Sequence, residues 1–398
     1  MVISNRAKNI QESATLASAQ RARELIAQGI DVIQLTLGEP DFSTPQHIKQ
    51  AAIQAIKEGN SDHYTNATGI LPLKQAIVDF HKQYDGVTYQ PQDVVVGTGA
   101  KHILFVLCQA LLNKDDKVII PTPYWVSYSE QVKLAGGVPL FVETTFEQQY
   151  KVTVEQLNAL DLTHVKAIII NSPNNPTGSV YTKEELLQIG EWAVQHDLFI
   201  ISDEIYYRLV YGDTQAISMA SLSESIKSRT IIVNGVAKSY AMTGWRIGYA
   251  LSTNKDIIGA MGQIISHETS NLTAVSQYAG VAAYSGTQEP VEEMRKVFEE
   301  RLHLFYNLIS QIEGFKLTKP QGAFYLFPNV KEAARLTGYD SVKEFADALL
   351  TKAHVAVVSG DAFGMDDCIR LSYAGDSEQL IEAARRIARF IDEHKRNI

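Results

Sequence analysis

The sequence predicts an α/β protein with a large domain, built on a mostly parallel seven-stranded sheet covered by helices, and a smaller α+β domain formed by the N- and C-terminal segments. From about residue 45, short β-branched runs alternate with amphipathic stretches, which is typical of a parallel sheet with helical crossovers. After about residue 287 longer helical stretches take over. The length of 398 residues also favours two domains, because single cores stop growing near ~250–300 residues.

The strand candidates are short apolar runs rich in valine and isoleucine. In chain order they are DVVVG, KVIIP, VPLFVE, VKAIII, LFIIS, TIIVN and RIGYAL. Between them lie stretches such as AKHILFVLCQALLN and KEELLQIGEWAVQHD, whose apolar residues recur at helical spacing. Ligands bind beyond the carboxyl ends of the strands in such sheets, so polar residues that follow these runs are the first candidates for a site.

The terminal segments do not show the regular alternation of strands and helices found in the middle of the chain. VEEMRKVFEERLHLFYNLISQIEG predicts a long helix, which is followed by the strand candidates GAFYLF, VAVVSG and CIRLSYA and by a final helix over SEQLIEAARRIARFIDEHK. The N-terminal segment has a helix over LASAQRARELIAQG and then DVIQLTLGEP. We therefore predict that residues 1–44 pack with a small domain of residues 288–398, and that residues 45–287 form the large domain.

Composition excludes several functional classes. The 45 acidic and 36 basic residues give a net charge of -9, which disfavours a nucleic-acid partner because no basic cluster offsets it. The N-terminus lacks an apolar signal-peptide core and no run of eighteen apolar residues occurs, so we expect a soluble cytoplasmic protein without a membrane partner. Cys108 and Cys368 are too few for a metal cage, no metal site is expected, and both are expected to be buried free thiols.

Asp203 follows the apolar run of LFIISDEIYYRLVY directly, so its carboxylate should emerge at the tip of a buried strand. It could simply cap a following helical turn. Alternatively, it could lie beneath a cationic ring nitrogen, where proximity keeps both groups charged. Tyr206 lies three residues later, on the same side if that turn is helical.

Other strand ends carry further candidates. IIINSPNNPTG could be only a turn-rich loop, but loops leaving a central strand often carry binding groups, and Asn175 can both donate and accept hydrogen bonds. VVVGTGAKHILFVL predicts a strand, a glycine turn and a helix start that leaves the amides of Gly99, Ala100 and Lys101 free to bind phosphate. Trp125 in PTPYWVSYSE offers a flat surface for a ring, although tryptophan is also a common core residue.

Lys238 lies among small side chains in NGVAKSYAMTGWRIGYA, after the strand candidate TIIVN. A solvated surface lysine is the ordinary alternative. Burial and nearby cations, however, lower the pKa of an amine and make it nucleophilic, and Arg246 offers a bidentate partner for a phosphate. These groups together indicate pyridoxal phosphate as the cofactor. It needs a lysine that condenses with its aldehyde, an acid for its pyridine nitrogen, a side chain that stacks on its ring and a site for its phosphate.

The motifs GEPDF, PYWVSY, NSPNNPTG, SDEIYY, GVAKSYAMTGWRIGY, GAFY and IRLSYA occur in this order over nearly the whole chain. In them the sequence closely resembles the class I aminotransferases of pyridoxal-phosphate fold type I, and among these the bacterial branch of aspartate aminotransferases. The resemblance implies that Lys238 forms the Schiff base and moves the proton at the α-carbon, and that Asp203 keeps the ring nitrogen protonated. It also implies that Tyr206 and Asn175 bind the phenolic oxygen and that Trp125 stacks on the ring.

The resemblance further implies how the phosphate is held. The turn of Gly99, Ala100 and Lys101 would bind it together with Arg246, and Tyr64 would arrive from a second subunit of a homodimer. Many relatives carry a serine three residues before the lysine, whereas this chain has Gly235. One phosphate contact is therefore expected to be lost or replaced.

The substrate contacts implied by the resemblance are Gly38, Lys101, Trp125, Asn175 and Arg370. Arg370 would grip the α-carboxylate as a bidentate fork and the backbone of Gly38 would close over it, expelling water as the domains approach. Lys101 would contact a distal carboxylate; as an ordinary solvated lysine near a helix start it would cost ~0.3–1 kcal/mol. These contacts predict L-aspartate and 2-oxoglutarate as substrates, exchanged by a ping-pong mechanism.

Other functions remain open from the sequence. Within the fold, the alternatives are an aminotransferase of broad or aromatic specificity and a carbon–sulfur lyase. A ligand-binding regulator without turnover would keep the fold but would not need the full set of chemical residues. A nicotinamide dehydrogenase is disfavoured because His102 stands where the dinucleotide-binding fingerprint has its third glycine.

Overall fold

A computed structural model describes residues 3–395. Its helices are α1 (Asn5–Lys8), α2 (Ala14–Ala27), α3 (Gln46–Lys57), α4 (Leu71–Tyr84), α5 (Ala100–Leu111), α6 (Ser127–Leu134), α7 (Val154–Asn158), α8 (Lys183–Gln195), α9 (Glu224–Arg229), α10 (Lys255–Glu268), α11 (Ala274–Ser285), α12 (Glu289–Ile309), α13 (Lys331–Leu336), α14 (Val342–Thr351) and α15 (Ser377–His394). Its strands are β1 (Ile33–Gln34), β2 (Val94–Thr98), β3 (Lys117–Pro121), β4 (Val138–Val142), β5 (Val165–Asn171), β6 (Phe199–Asp203), β7 (Thr230–Gly235), β8 (Ile247–Leu251), β9 (Tyr325–Leu326), β10 (Val355–Ala356), β11 (Val358–Ser359) and β12 (Ile369–Ser372).

The largest sheet within residues 3–395 has seven strands in the order β2-β8-β7-β6-β5-β3-β4. Strand β8 runs antiparallel to both of its neighbours, and the other adjacent pairs are parallel. The seven strand candidates coincide with β2–β8 to within one residue at each end. The predicted α/β class with a mostly parallel seven-stranded sheet is therefore confirmed.

The central strands are buried on both faces, which explains their nearly continuous apolar sequences. Ile201 of β6 packs in a core cluster with side chains of α5 and α10. Its neighbour Ile200 points to the opposite face and packs in a second cluster with side chains of α8. Helices thus cover both faces, and polar side chains can leave the sheet only where strands end.

The ends of β2, β5, β6 and β7 lie at the same edge of the large sheet. Asn171, the last residue of β5, pairs with Asp203, the last residue of β6. Gly235 at the end of β7 pairs with Gly248 near the start of β8, which runs the other way. Because Thr98 at the end of β2 pairs with Ile247 of β8, the end of this outer strand lies at the same edge.

The N-terminal segment packs with the C-terminal part of the chain. Strand β1 pairs in parallel with β10, and β9, β11 and β12 form a separate antiparallel sheet. Ile33 and Leu35 belong to the same core cluster as Phe298 of α12 and Phe390 of α15. That cluster also includes Tyr206 from the large sheet's edge, so the two parts share a core. The division into residues 1–44, 45–287 and 288–398 stays a prediction.

The strands of this second part are shorter than the sequence suggests. Only Tyr325–Leu326 of GAFYLF is extended and paired as a strand. VAVVSG divides into β10 and β11 because its two halves pair with different strands.

Cys108 and Cys368 are buried free thiols, as expected. Over residues 3–395, no helix combines the length and the apolar character needed to cross a membrane.

Candidate active site

A cavity of about 460 Å³ lies at the edge where β5, β6 and β7 end. The predicted site residues that line it are Gly38, Gly99, Ala100, Lys101, Trp125, Asn175, Asp203, Tyr206, Lys238, Arg246 and Arg370. Tyr64 does not line this cavity, and its side chain is 89% exposed. Its predicted place in the site of a second subunit stays a prediction.

Lys238 follows β7 and reaches into the cavity. Its Nζ donates a hydrogen bond to the carbonyl oxygen of Gly38 and lies 6.0 Å from the centre of the Tyr206 ring. Gly38 belongs to the N-terminal segment, whereas Lys238 belongs to the large sheet's edge. The lysine therefore lies where the two parts of the chain meet.

The pKa of Lys238 is lowered to about 8. Burial of the amine is the main cause, and the positive charges of Arg370 and Arg246 lower the pKa further, whereas the carboxylate of Glu39 raises it. Burial disfavours the charged form of an amine because the surroundings solvate it less well than water. A far larger fraction of the Lys238 amine is consequently neutral at neutral pH than for an ordinary lysine, and this fraction can act as a nucleophile or base.

Asp203 is buried at the end of β6 and is held in a fixed orientation. The hydroxyl of Tyr128 donates to Oδ2 at 2.6 Å, and the backbone N–H of Ile205 donates to Oδ1 at 3.2 Å. Burial raises the pKa of Asp203 to about 6, while these two hydrogen bonds and the nearby Lys238 oppose the rise. A cation placed against this carboxylate would favour its charged form.

Arg370 on β12 is 1% exposed and has a partly fixed guanidinium. Its Nη1 donates to Oδ1 of Asn175 and its Nη2 donates to the carbonyl oxygen of Thr36, both at 3.0 Å. Its Nε is buried and has no hydrogen-bond partner within residues 3–395. The guanidinium also lies 4.5 Å from the centre of the Tyr325 ring. A buried guanidinium with a free donor suits a carboxylate ligand.

The glycine turn, residues 97–101, connects β2 to α5. Gly99 precedes the helix with a φ of 84° and provides no side-chain cap, so the amides of Ala100 and Lys101 lie in a first helical turn that can accept an anion. A Cβ at position 99 would lie 2.7 Å from Nη2 of Arg246, so the turn and this guanidinium approach closely because the residue is glycine. Backbone amides and a guanidinium are both donors that bind the oxygens of a phosphate.

Lys101 and Trp125 form the outer part of the cavity. The Nζ of Lys101 lies 5.0 Å from the centre of the Trp125 ring, a cation–π distance. Partial burial lowers the pKa of Lys101, and the charge of Arg246 lowers it further. The Trp125 ring packs edge-on against Tyr128 with 5.4 Å between ring centres, which fixes its plane.

The charged residues that line the cavity are mostly cationic. Its carboxylates are Glu39 and Asp203, and its cations are Arg23, Lys101, Lys238, Arg246 and Arg370. The whole chain, by contrast, carries a net charge of -9. A concave site lined by cations concentrates anions, so the cavity is suited to small molecules with more than one negative group.

Several residues of the site were not identified from the sequence. Tyr128 donates to Asp203, and the hydroxyl of Tyr325 lies 2.9 Å from that of Tyr206. Tyr128 follows the predicted Trp125 by three residues at the start of a helix, but its bond to Asp203 depends on how that helix packs. Arg23 lies on α2, a helix remote in sequence from the other residues of the cavity. No local pattern indicates that it reaches the cavity.

Gly235 has a packing role in this chain. A Cβ at this position would lie 2.5 Å from the carbonyl oxygen of Ile247 and 3.0 Å from the Cα of Gly248. Strands β7 and β8 are thus too close for a side chain here. A serine at position 235 would require a shift of the β8 backbone.

The comparisons with known proteins agree on one family. The profile described as aminotransferase class I and II matches residues 30–387. An aspartate aminotransferase of Bacillus sp. strain YM-2 is 54% identical, with 98% of this chain and 99% of that protein covered. An asparagine–oxo-acid transaminase of Streptococcus mutans is 49% identical, with coverage of 98% and 99%. The solved structure of Thermus thermophilus aspartate aminotransferase with maleate is 38% identical, with a TM-score of 0.93 and coverage of 98% and 100%. The chain belongs to the class I and II aminotransferases.

Proposed function

We propose that this aminotransferase exchanges the amino group of L-aspartate with 2-oxoglutarate and uses pyridoxal 5'-phosphate as its cofactor. The observation that carries the proposal is the convergence, in one cavity, of Lys238 with its lowered pKa, the buried carboxyl of Asp203 and the guanidinium of Arg370. Membership of the family supports the cofactor. The names of the relatives from Bacillus and Thermus support the substrate.

The side chains fit this cofactor. The glycine turn and Arg246 suit a phosphate, because amides of a first helical turn and a guanidinium are both strong anion donors. Asp203 suits a protonated ring nitrogen, and Trp125 offers a ring face of fixed plane. When bound, the cofactor supplies an electron sink for the negative charge that develops at the substrate's α-carbon.

The protein's own groups then bind the substrate and move a proton. The guanidinium of Arg370 binds the α-carboxylate, using the buried Nε that has no partner within residues 3–395. The neutral amine of Lys238 accepts the proton from the α-carbon, which its lowered pKa allows near neutral pH. Lys101 binds the distal carboxylate at the outer part of the cavity. Gly38, which accepts the Lys238 hydrogen bond, covers the site from the N-terminal segment and excludes water.

An absorbance scan of the purified protein before and after adding L-aspartate tests the proposal. We expect a visible band of the lysine-bound cofactor that shifts to shorter wavelength with aspartate and returns with 2-oxoglutarate. Borohydride treatment followed by peptide mapping should find the cofactor on Lys238. A protein with no such band, or with the label on another lysine, would contradict the proposal.

A second candidate substrate is L-asparagine, because the Streptococcus mutans relative is named for it. A panel of aspartate, asparagine and aromatic amino acids with 2-oxoglutarate distinguishes these donors by their kcat/KM values. Aspartate should be preferred, since an amide cannot pair with the charge of Lys101. Release of pyruvate and ammonia from a sulfur-containing amino acid would instead indicate a carbon–sulfur lyase.

We also propose a homodimer in which Tyr64 completes the phosphate site of the other subunit. Tyr64 is accompanied by exposed apolar side chains on neighbouring elements, with Ile56 58% and Leu71 66% exposed. We propose that these side chains are covered by the second subunit, because a contiguous exposed apolar surface is typical of an interface. Mixing inactive Lys238→Ala and Tyr64→Ala proteins under conditions of subunit exchange should restore part of the activity, because half of the sites in a heterodimer would keep both residues. No restoration despite proven exchange would contradict the shared site.

A further inference from the structure

The side chain of His102 contacts the glycine turn and does not line the cavity. Its Nδ1 accepts a hydrogen bond from the backbone N–H of Thr98 at 3.0 Å, and its Nε2 lies 2.9 Å from Oε2 of Glu268. Because a backbone amide can only donate, Nδ1 carries no proton in this arrangement. The proton of the neutral ring is therefore on Nε2, where it is donated to Glu268.

The surroundings of His102 are built for this contact. A Cβ at Gly97 would lie 2.8 Å from Nδ1, so the ring reaches Thr98 because position 97 has no side chain. The His102 side chain is only 12% exposed. Glu268 is the last residue of α10, an end at which the helix dipole disfavours a carboxylate. The N–H of His102 offsets that penalty and fixes which ring nitrogen accepts.

Thr98 directly precedes Gly99, the residue of the turn that has a positive φ. Gly99 has a φ of 84°, and its carbonyl oxygen accepts from the N–H of His102 and of Ile103 at 3.0 and 3.1 Å. The backbone of α5 thus holds the turn after Gly99. Before Gly99, the imidazole holds the amide of Thr98, next to a backbone hydrogen bond from the N–H of Gly99 to the carbonyl oxygen of Gly97 at 2.8 Å. Fixing both sides keeps the amides of Ala100 and Lys101 oriented for an anion, so little ordering remains to be done on binding.

We propose that His102 is a positioning residue that holds the glycine turn in its phosphate-binding conformation, with Glu268 fixing the tautomer. The inference rests on the proposed function, in which this turn binds the phosphate of the cofactor. It assigns a role to the residue that replaces the third glycine of a dinucleotide-binding fingerprint.

Three substitutions separate the two hydrogen bonds of the imidazole. His102→Ala removes both, His102→Asn retains an acceptor near the position of Nδ1, and His102→Gln retains a donor near the position of Nε2. The full-length proteins are titrated with pyridoxal 5'-phosphate and separately with pyridoxal, which lacks the phosphate. The ratio of the two dissociation constants reports phosphate binding and is insensitive to a general loss of stability.

For His102→Ala we expect pyridoxal 5'-phosphate to bind about five- to tenfold more weakly, with pyridoxal binding unchanged, because of the two lost bonds only the one to the Thr98 amide acts on the turn directly. His102→Asn should recover most of the wild-type ratio, and His102→Gln should resemble alanine. His267→Asn, an exposed neighbour of Glu268 on α10, is the matched control and should behave as wild type.

Equal weakening of both ligands in His102→Ala, or a wild-type ratio in that variant, would overturn the inference. An unrestored ratio in His102→Asn together with restoration in His102→Gln would also overturn it, because the Glu268 contact alone would then suffice. If the wild-type protein bound neither ligand, the proposed function itself would fail and this inference with it. The two failures are therefore distinguishable.

Discussion

Asp203 and Glu204 are adjacent buried carboxyls that face two different regions. Asp203 lines the cavity, where it accepts from Tyr128 and lies near the amine of Lys238. Glu204 is buried in a separate region in which Asp85 is its main charged neighbour. Burial raises both pKa values, to about 6 for Asp203 and about 8 for Glu204. The same desolvation thus acts on both residues.

The neighbouring charges act on the two pKa values with opposite signs. The hydrogen bonds from Tyr128 and Ile205, and then the charge of Lys238, oppose the rise in the pKa of Asp203, whereas the carboxylate of Asp85 adds to the rise for Glu204. With a pKa of about 6, the carboxyl of Asp203 is mostly ionised at neutral pH. It can therefore pair with the cationic group of a ligand. Glu204 is favoured in its neutral form and functions as a buried hydrogen-bonding group. Burial alone does not identify a functional carboxyl; its charged neighbours do.

The strongest test of the cavity's role is Lys238→Ala. We expect the rate of amino transfer to fall by about 10⁴-fold, because the substitution removes the group that we propose moves the α-carbon proton. The free energy of unfolding should not fall, since a buried amine with an unfavourable environment is removed. Steady-state kinetics and urea unfolding measure the two effects. Retention of more than a hundredth of the activity would remove Lys238 from its proposed role.

The comparison of the adjacent carboxyls is tested by Asp203→Asn and Glu204→Gln. Asp203→Asn should lower kcat/KM by about 10²–10³-fold, the effect of losing one electrostatic group aimed at the reacting system. Glu204→Gln should change kcat/KM by less than about twofold, because Glu204 does not line the cavity. Similar losses in both variants would show that the two regions are not functionally distinct.

Lys101→Ala tests the outer part of the cavity. Its kcat/KM for L-aspartate should fall by about 10- to 100-fold, the value of a charge-assisted hydrogen bond, mainly through KM. For an uncharged amino acid the change should stay within about twofold. Lys114→Ala, an exposed lysine just after α5, is the matched control. Equal effects on both substrates would end the claim that Lys101 selects a dicarboxylate.

The sequence predicts the large sheet well because its strands are buried on both faces and read as continuous β-branched runs. Asp203 could be predicted for a related reason, since a polar residue directly after such a run must lie at the sheet's edge. Asn175 could be predicted because its loop leaves the end of a central strand. Tyr128 belongs to the helix after Trp125, and its bond to Asp203 depends on how that helix packs. Arg23 reaches the cavity only through packing of the N-terminal segment, which leaves no local pattern.

The boundaries of the two-residue strands in the second part of the chain could not be predicted from the sequence, and the reason is again physical. Strands β9, β10 and β11 are defined by their pairing partners rather than by a run of apolar residues long enough to show a period. The break between β10 and β11 falls inside one apolar stretch, VAVVSG. Only the tertiary arrangement determines which half pairs with which strand.

The smallest expected effect concerns stability and follows from the hydrogen bonds of Glu204. Its Oε1 accepts from the hydroxyls of Ser202 and Ser218 at 2.8 and 3.0 Å and from the N–H of Met219 at 3.2 Å. Burial, and then Asp85, raise the pKa of Glu204 from 4.5 to about 8. Since the folded-state pKa lies above the unfolded one, the stabilising contribution of the protonated carboxyl is complete below pH 4.5. It is lost as the pH rises through 8.

Glu204→Gln keeps the acceptor oxygen but cannot ionise, so it should remove this pH dependence. Between pH 5.5 and 8.5 the free energy of unfolding of the wild type should fall, relative to the variant, by roughly 3 kcal/mol. Urea unfolding at both pH values measures the difference, with Glu224→Gln on α9 as the exposed control, because that side chain is 91% exposed. Parallel pH profiles for wild type and Glu204→Gln would mean that the Glu204 carboxyl ionises without cost in the folded protein. Asp203 and Glu204 would then differ only in their positions, and the charges of their neighbours would not explain the difference between them.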